Sequence, residues 1–439
     1  MAIKPGRESL VADADRKFLI RKTFFMIFIE NAKILVGERI LEGNITIEGN
    51  KIVSVGEKKD KSDIVIDAKG LAAIPGLFNC HTHAAMTIFR GYAEDMPLQE
   101  WLEKKIWPAE MRLNEKIVYL ASKLACVEML KSGTTFFLDM YFFPSATARA
   151  VEETGIRACL SSAFFDFFSD EILEASIKRV EKELKELEKF RVMRAIAPHA
   201  VYTVSMEGLR RSVEIAEREN IFIHFHLAET EREVLEFRKK HGKGIVKALD
   251  EIGFLSHKLF CAHSVWLEKE EIDLLAKRKV NVVHCPTSNM KLSVGKAMNY
   301  PEMKKAGVNV LLGTDGAASN NSLSILSEMK FCALLQKFSY GAESFRAIDA
   351  FKMATENAEK AFRINAGKIE EGRVADIVLV DLRQVHFSPC HDLIANLVYS
   401  NAKVDTVIVD GRIVVENGHF DGEEKILEEF SKEVERFLT

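Results

Sequence analysis

The sequence predicts an α/β protein, a (β/α)8 barrel of the TIM type with a second, smaller β-sandwich domain built from both chain ends. Three observations predict it. Eight short apolar runs alternate with amphipathic helical stretches through the middle of the chain, as parallel strands joined by crossover helices do. Short alternating runs with tight turns sit before and after that region. Histidine and aspartate residues cluster at the ends of the middle runs, where a barrel of this kind gathers its functional groups.

Taken in order, residues 1–25 are polar and basic, and they read as an extension with no fold of its own. The apolar cluster at 24–29 is too short to span a bilayer and lacks a small-residue cleavage site. Strands are expected at 28–35, 44–48 and 51–55, the last two joined by the tight turn at Gly49. The barrel strands are expected at 74–80, 135–140, 157–164, 192–197, 222–227, 259–262, 280–283 and 308–312. The β texture returns at 377–380, 404–409 and 412–415, with Asp410-Gly411 as a turn. Ile426, Leu427, Phe430, Val434 and Phe437 then mark a closing amphipathic helix. The expected division is therefore 74–369 for the barrel, and 26–73 with 370–439 for the composite domain.

Composition narrows the function classes. With 61 basic against 65 acidic residues and a net charge of −4, the chain has no general attraction for phosphate backbones or anionic membranes. Neither nucleic acid nor a membrane is an expected partner. The 7 cysteines are odd in number and form no C-x-x-C, which suits reduced thiols in a cytoplasmic protein.

The most informative residues are His81 and His83. Positions two apart at a strand end point to one face, so both imidazoles are delivered to one place. A catalytic zinc or iron needs at least one further protein ligand. His199 ends the fourth run, His224 and His226 repeat the two-residue spacing on the fifth, and His263 and His284 end the sixth and seventh. Asp315 follows the eighth. A single histidine at a strand end is more often structural. Several converging on one barrel mouth need a shared partner, because burying unpaired imidazoles is costly. Glu229, three residues after His226, is placed to move protons, or else is a first-turn helix acid like Glu231 and Glu233.

The run Pro75 to His83, His226 with Glu229, His263, and Gly313-Thr314-Asp315-Gly316 together resemble the amidohydrolase superfamily. Within it the chain is most similar to the S-adenosylhomocysteine/methylthioadenosine deaminases, neighbours of the triazine chlorohydrolases and guanine deaminases. The cytidine-type deaminases are excluded, because their H-x-E and P-C-x-x-C elements are absent. The resemblance implies one divalent metal, usually zinc and in some members iron, held by His81, His83, His226 and Asp315. It implies Glu229, His263 and Asp315 as catalytic groups, with Trp101, Glu110 and His199 contacting a purine nucleoside. His224 and His284 are expected to support ligands from behind.

The reaction implied is hydrolytic deamination of methylthioadenosine, S-adenosylhomocysteine or adenosine to the hypoxanthine product and ammonia, by a chain that self-associates as such relatives often do. The alternatives are a deaminase or chlorohydrolase of a free base or triazine, and a barrel without catalysis serving as a scaffold. Relatives acting on S-adenosylhomocysteine hold its carboxylate with arginines after the third strand. Here Ser162 stands where the first is expected, and the following loop carries Asp166, Asp170 and Glu171 but no cation. A carboxylate favours a bidentate guanidinium, so neutral substituents are expected.

Overall fold

A computed structural model of the chain describes residues 26–56 and 62–438. The expected extension at residues 1–25 lies outside the described residues. Among the described residues sixteen strands occur in chain order: β1 Met26–Val36, β2 Arg39–Glu48, β3 Lys51–Val55, β4 Ile64–Asp67 and β5 Leu71–Pro75; β6 Leu77–Thr82, β7 Thr134–Tyr141, β8 Arg157–Phe164 and β9 Met193–Pro198; β10 Phe222–Leu227, β11 Leu259–His263, β12 Asn281–His284 and β13 Asn309–Leu312; β14 Ile377–Asp381, β15 Lys403–Val409 and β16 Arg412–Val415.

Strands β6 to β13 pair in sequence order and in parallel, which is the barrel. Strands from both chain ends form a second sheet in the order β16-β15-β14-β5-β1-β2-β3, with β4 beside β1. Hydrogen bonding makes this one continuous mixed sheet, and Ile29, Ile34, Ile47, Ile377 and Ile408 pack in its own core.

The run expected as the first barrel strand, 74–80, is divided between the two sheets. Ile74 and Pro75 pair antiparallel with β14, and the barrel strand begins at Leu77. Gly76 is the joint: a Cβ there would lie 2.2 Å from Thr135 Oγ1. Both halves of the run are fully buried, so apolar patterning alone carries no mark of the switch. Strand β4 was not anticipated because its apolar run, Ile64 to Ile66, is short, and in the structure Ile64 and Val65 are exposed while Ile66 packs against the sheet's core.

No ladder pairs β6 with β13, and the seam is closed by side chains. Thr314 N–H donates to Asn79 Oδ1 at 3.0 Å, Asn79 Nδ2 donates to Thr314 Oγ1 at 2.7 Å, and Asp315 N–H donates to the His81 carbonyl at 3.0 Å. Gly313 makes this approach feasible, since a Cβ would sit 2.8 Å from the His81 nitrogen. The opposite end of the barrel is plugged by Phe362, whose ring lies 4.7 Å from Phe136 and 4.6 Å from Phe260. The helix Glu423–Leu438 returns to the barrel helix Glu115–Lys131, with Ile426 and Phe437 buried.

Candidate metal centre and active-site cavity

The site lies at the carboxyl ends of the barrel strands. His81 is the penultimate residue of β6 and His83 directly follows the strand; Asp315 comes from the segment after β13, and the seam bonds set all three side by side. Asp315 Oδ1 is 3.3 Å from His81 Nε2 and 3.2 Å from His83 Nε2. Its other oxygen is occupied, accepting from Ser288 Oγ at 2.5 Å and Ser319 Oγ at 3.0 Å. His226, on β10, stacks 5.4 Å from His83.

Each of the three histidines is anchored through Nδ1. His83 Nδ1 donates to the Met140 carbonyl at 2.6 Å and His226 Nδ1 to the His199 carbonyl at 2.9 Å. His81 Nδ1 lies 2.7 Å from His224 Nε2, and His224 Nδ1 in turn is 3.4 Å from Ser161 Oγ. Anchoring one ring nitrogen fixes the tautomer and leaves the other lone pair free for a cation.

The donor set fits a divalent metal. His81 Nε2 is buried and makes no hydrogen bond. One nitrogen each of His81, His226 and His263 lie within 4.8 Å of one another, and so do donor atoms of His81, His83 and Asp315. Three imidazoles and a carboxylate suit zinc and its neighbours among the borderline divalent ions. Without a metal, burial pulls His81 down to about 4, whereas the Asp315 carboxylate outweighs burial and raises His83 to about 9.

Glu229 lies between β10 and the helix Glu231–His241, whose N-cap is Thr230, so it is not a first-turn helix acid. Glu233 is the residue that serves the helix end: its carboxylate accepts from Ala228 N at 3.2 Å and Glu229 N at 2.8 Å. Glu229 is buried, which raises its carboxyl pKa, and its Oε1 stands 3.6 Å from His263 Nδ1. That nitrogen is 2.8 Å from Asn289 Oδ1, so His263 is oriented by a residue no sequence signal singled out. His263 has φ of +66° and Asp315 +62°, left-handed conformations that non-glycine residues adopt at a cost.

These groups form the floor of a cavity walled by Trp101, Trp107, Glu110, Tyr141, Phe165 and His199 among others. Trp101 donates from Nε1 to the Ala93 carbonyl at 3.2 Å. Glu110 accepts from the Tyr141 hydroxyl at 2.8 Å, and burial pushes its carboxyl up to about 7. His199 Nδ1 is 2.9 Å from Thr203 Oγ1, which itself donates to the Ala200 carbonyl. His199 therefore donates to the hydroxyl and keeps Nε2 as an acceptor.

The cavity thus brings together Trp101, Glu110, His199, Glu229, His263 and Asp315 with His83 and His226, while His81 lies just beneath. His284 is buried elsewhere, against Gln336 at 3.4 Å. Among the described residues no lysine or arginine lines this cavity. Ser162 does not face it: its hydroxyl bonds Glu183 on the helix Asp170–Leu187 outside the barrel, and Ala163 lines the wall instead.

The amidohydrolase family matches residues 72–414 of this chain. The chain belongs to that family. This amidohydrolase is 62% identical, over 94% of its length and 99% of the relative's, to 5-methylthioadenosine/S-adenosylhomocysteine deaminase 1 of Archaeoglobus fulgidus. It is 43% identical to the 5'-deoxyadenosine deaminase of Methanosarcina mazei, over 94% of the amidohydrolase chain and 98% of that relative. Among solved structures, an adenosine deaminase from Xanthomonas campestris with bound zinc aligns with a TM-score of 0.89 at 30% identity, covering 94% of this chain and 98% of the other.

Proposed function

We propose that this amidohydrolase deaminates adenine nucleosides with a neutral 5′ substituent, adding water at C6 and releasing ammonia to leave the hypoxanthine nucleoside. The observation that carries this reading is a cluster of histidines anchored through Nδ1 around Asp315, next to a buried Glu229, at the floor of a cavity walled by aromatic rings. The similarity to named deaminases of methylthioadenosine, S-adenosylhomocysteine, 5'-deoxyadenosine and adenosine supports the substrate class.

In this reading His81, His83, His226 and Asp315 hold one divalent ion, zinc. Such an ion supplies Lewis acidity, bringing the pKa of a coordinated water from 15.7 toward ~7. Glu229 accepts a proton as water oxygen bonds to C6 and returns it to the exocyclic nitrogen as the C6–N bond breaks. Burial raises the Glu229 carboxyl, which suits a group that must both take and give a proton near neutral pH. Asp315, fixed by Ser288 and Ser319, orients the attacking water from the other side. His263, held by Asn289, faces the charge that develops on the attacking oxygen. His199 meets the purine edge and Trp101 packs on the nucleoside. Glu110 takes the ribose hydroxyls, its buried carboxyl already oriented by Tyr141. Among the described residues no cation lines the cavity wall to pair with a carboxylate on the 5′ substituent.

Ammonia release from the zinc-loaded protein tests this across methylthioadenosine, adenosine, S-adenosylhomocysteine, guanine, cytosine and melamine. The adenine nucleosides are expected to turn over, the two without a carboxylate fastest. Turnover confined to free bases or melamine would replace this reading with the free-base or triazine one.

A further inference from the structure

Asp315 and His263 are held by two short segments that follow the last two barrel strands. The helix Pro286–Lys291 supplies Ser288 to Asp315 and Asn289 to His263. The turn Ala317–Asn320 supplies Ser319 to the same Asp315 oxygen as Ser288. A single side chain behind the cavity touches both segments.

That side chain is Glu328, on the helix Ile325–Tyr340 and only 1% exposed. Its Oε2 accepts from Thr287 N at 3.3 Å, one residue before Ser288, and its Oε1 accepts from Asn320 Nδ2 at 2.7 Å. The same Asn320 amide donates to the Thr314 carbonyl at 2.7 Å, one residue before Asp315. One carboxylate therefore ties together the segments that orient Asp315 and His263.

An acid in the first turn of a helix ordinarily serves that helix end. Here Ser324 caps the helix, its hydroxyl accepting from Ser327 N at 3.3 Å, and both Glu328 oxygens are turned to other segments. Its partners are neutral donors, and burial pushes its carboxyl up to about 7. An apolar side chain would fill space there without that cost. It would lack two acceptor oxygens at a fixed separation.

We propose that Glu328 is a positioning residue for the deamination: by holding Thr287 and Asn320 at once, it sets Asp315 and His263 in the geometry the reaction uses. This rests on the nucleoside deaminase reading above. Glu328 stands behind the cavity lining rather than in it, and the nucleoside contacts at Trp101, Glu110 and His199 belong to other segments. Its effect therefore falls on the chemical step rather than on nucleoside binding.

The test uses Glu328→Ala and the near-isosteric Glu328→Gln, saturated with zinc for turnover of methylthioadenosine and with cobalt for a visible spectrum without substrate, beside thermal unfolding. Glu328→Ala is expected to lower kcat about tenfold to a hundredfold with KM changed less than about twofold, and to alter the cobalt spectrum as Asp315 is displaced. Glu328→Gln, which keeps one acceptor oxygen, is expected to fall between and carries the test if the alanine variant does not fold. A lowered unfolding midpoint with wild-type kcat and an unchanged cobalt spectrum makes Glu328 a packing residue and overturns the proposal, as does a loss confined to KM. Failure of wild type to deaminate any adenine nucleoside overturns the deaminase reading, and the variants' cobalt spectra then decide the positioning of Asp315 on their own.

Discussion

Glu229 owes its position to three backbone features rather than to its own side chain. Ala228, just before it, has φ of +48°, Glu233 binds its N–H, and the helix begins only after it at Glu231. In the proposed reaction a carboxylate so placed beside the histidines carries the proton. Glu229→Gln is therefore expected to retain metal, measured as bound zinc per chain, while turnover falls at least about a hundredfold. Undiminished turnover in the metal-loaded variant would remove Glu229 from that role. His224 acts one step further back: its contact with His81 Nδ1 sets which nitrogen of His81 is free, the support expected of it from the sequence.

At the scale of elements, the seam between β6 and β13 decides whether the proposed metal ligands meet. The first and last barrel strands make no ladder, and the Asn79 side chain replaces it by bonding both the amide and the hydroxyl of Thr314. Asn79→Ala leaves a buried Thr314 N–H unpaired, a loss of about 1–3 kcal/mol. Because Asp315 follows directly, zinc affinity should fall together with stability. Thermal unfolding with and without zinc checks this, and a variant destabilised to the same extent in both conditions, with unaltered zinc affinity, would show that the seam does not position Asp315.

At the scale of the molecule, the barrel and the mixed sheet are joined by a buried ion pair. Arg157, at the start of β8, bonds Asp376 just before β14, and the Asp376 side chain is wholly buried. Burial raises the Asp376 carboxyl above its usual 3.8 even though Arg157 works against that rise. Arg157→Met leaves that carboxyl buried without its partner, a loss of about 3–5 kcal/mol at neutral pH. A carboxyl with a raised folded pKa binds its proton more tightly folded than unfolded, so stability falls as pH rises above about 4. The destabilisation should accordingly shrink on acidification toward that value. Unfolding midpoints of both proteins across pH 4–8 check the sign.

The sequence by itself determined the barrel and its strand ends, and it pointed to the candidate ligand residues. Each barrel strand carries an apolar run with polar residues at its carboxyl end, and that pattern is local. His81, His83, His226, Asp315 and Glu229 were legible because strand ends in a barrel converge. The division of residues 74–80 at Gly76 was not legible, since β5 and β6 are both buried on two sides and leave the same apolar signature. Nor were Asn79 and Asn289, which act through partners far away in the chain. Ser162 was placed where relatives carry a carboxylate-binding arginine, and barrel packing turns that position outward to Glu183. Which donors exist follows from spacing along the chain; which nitrogen is free, which carboxylate is spent on backbone and which ring faces the substrate are set by neighbours that only the folded chain supplies.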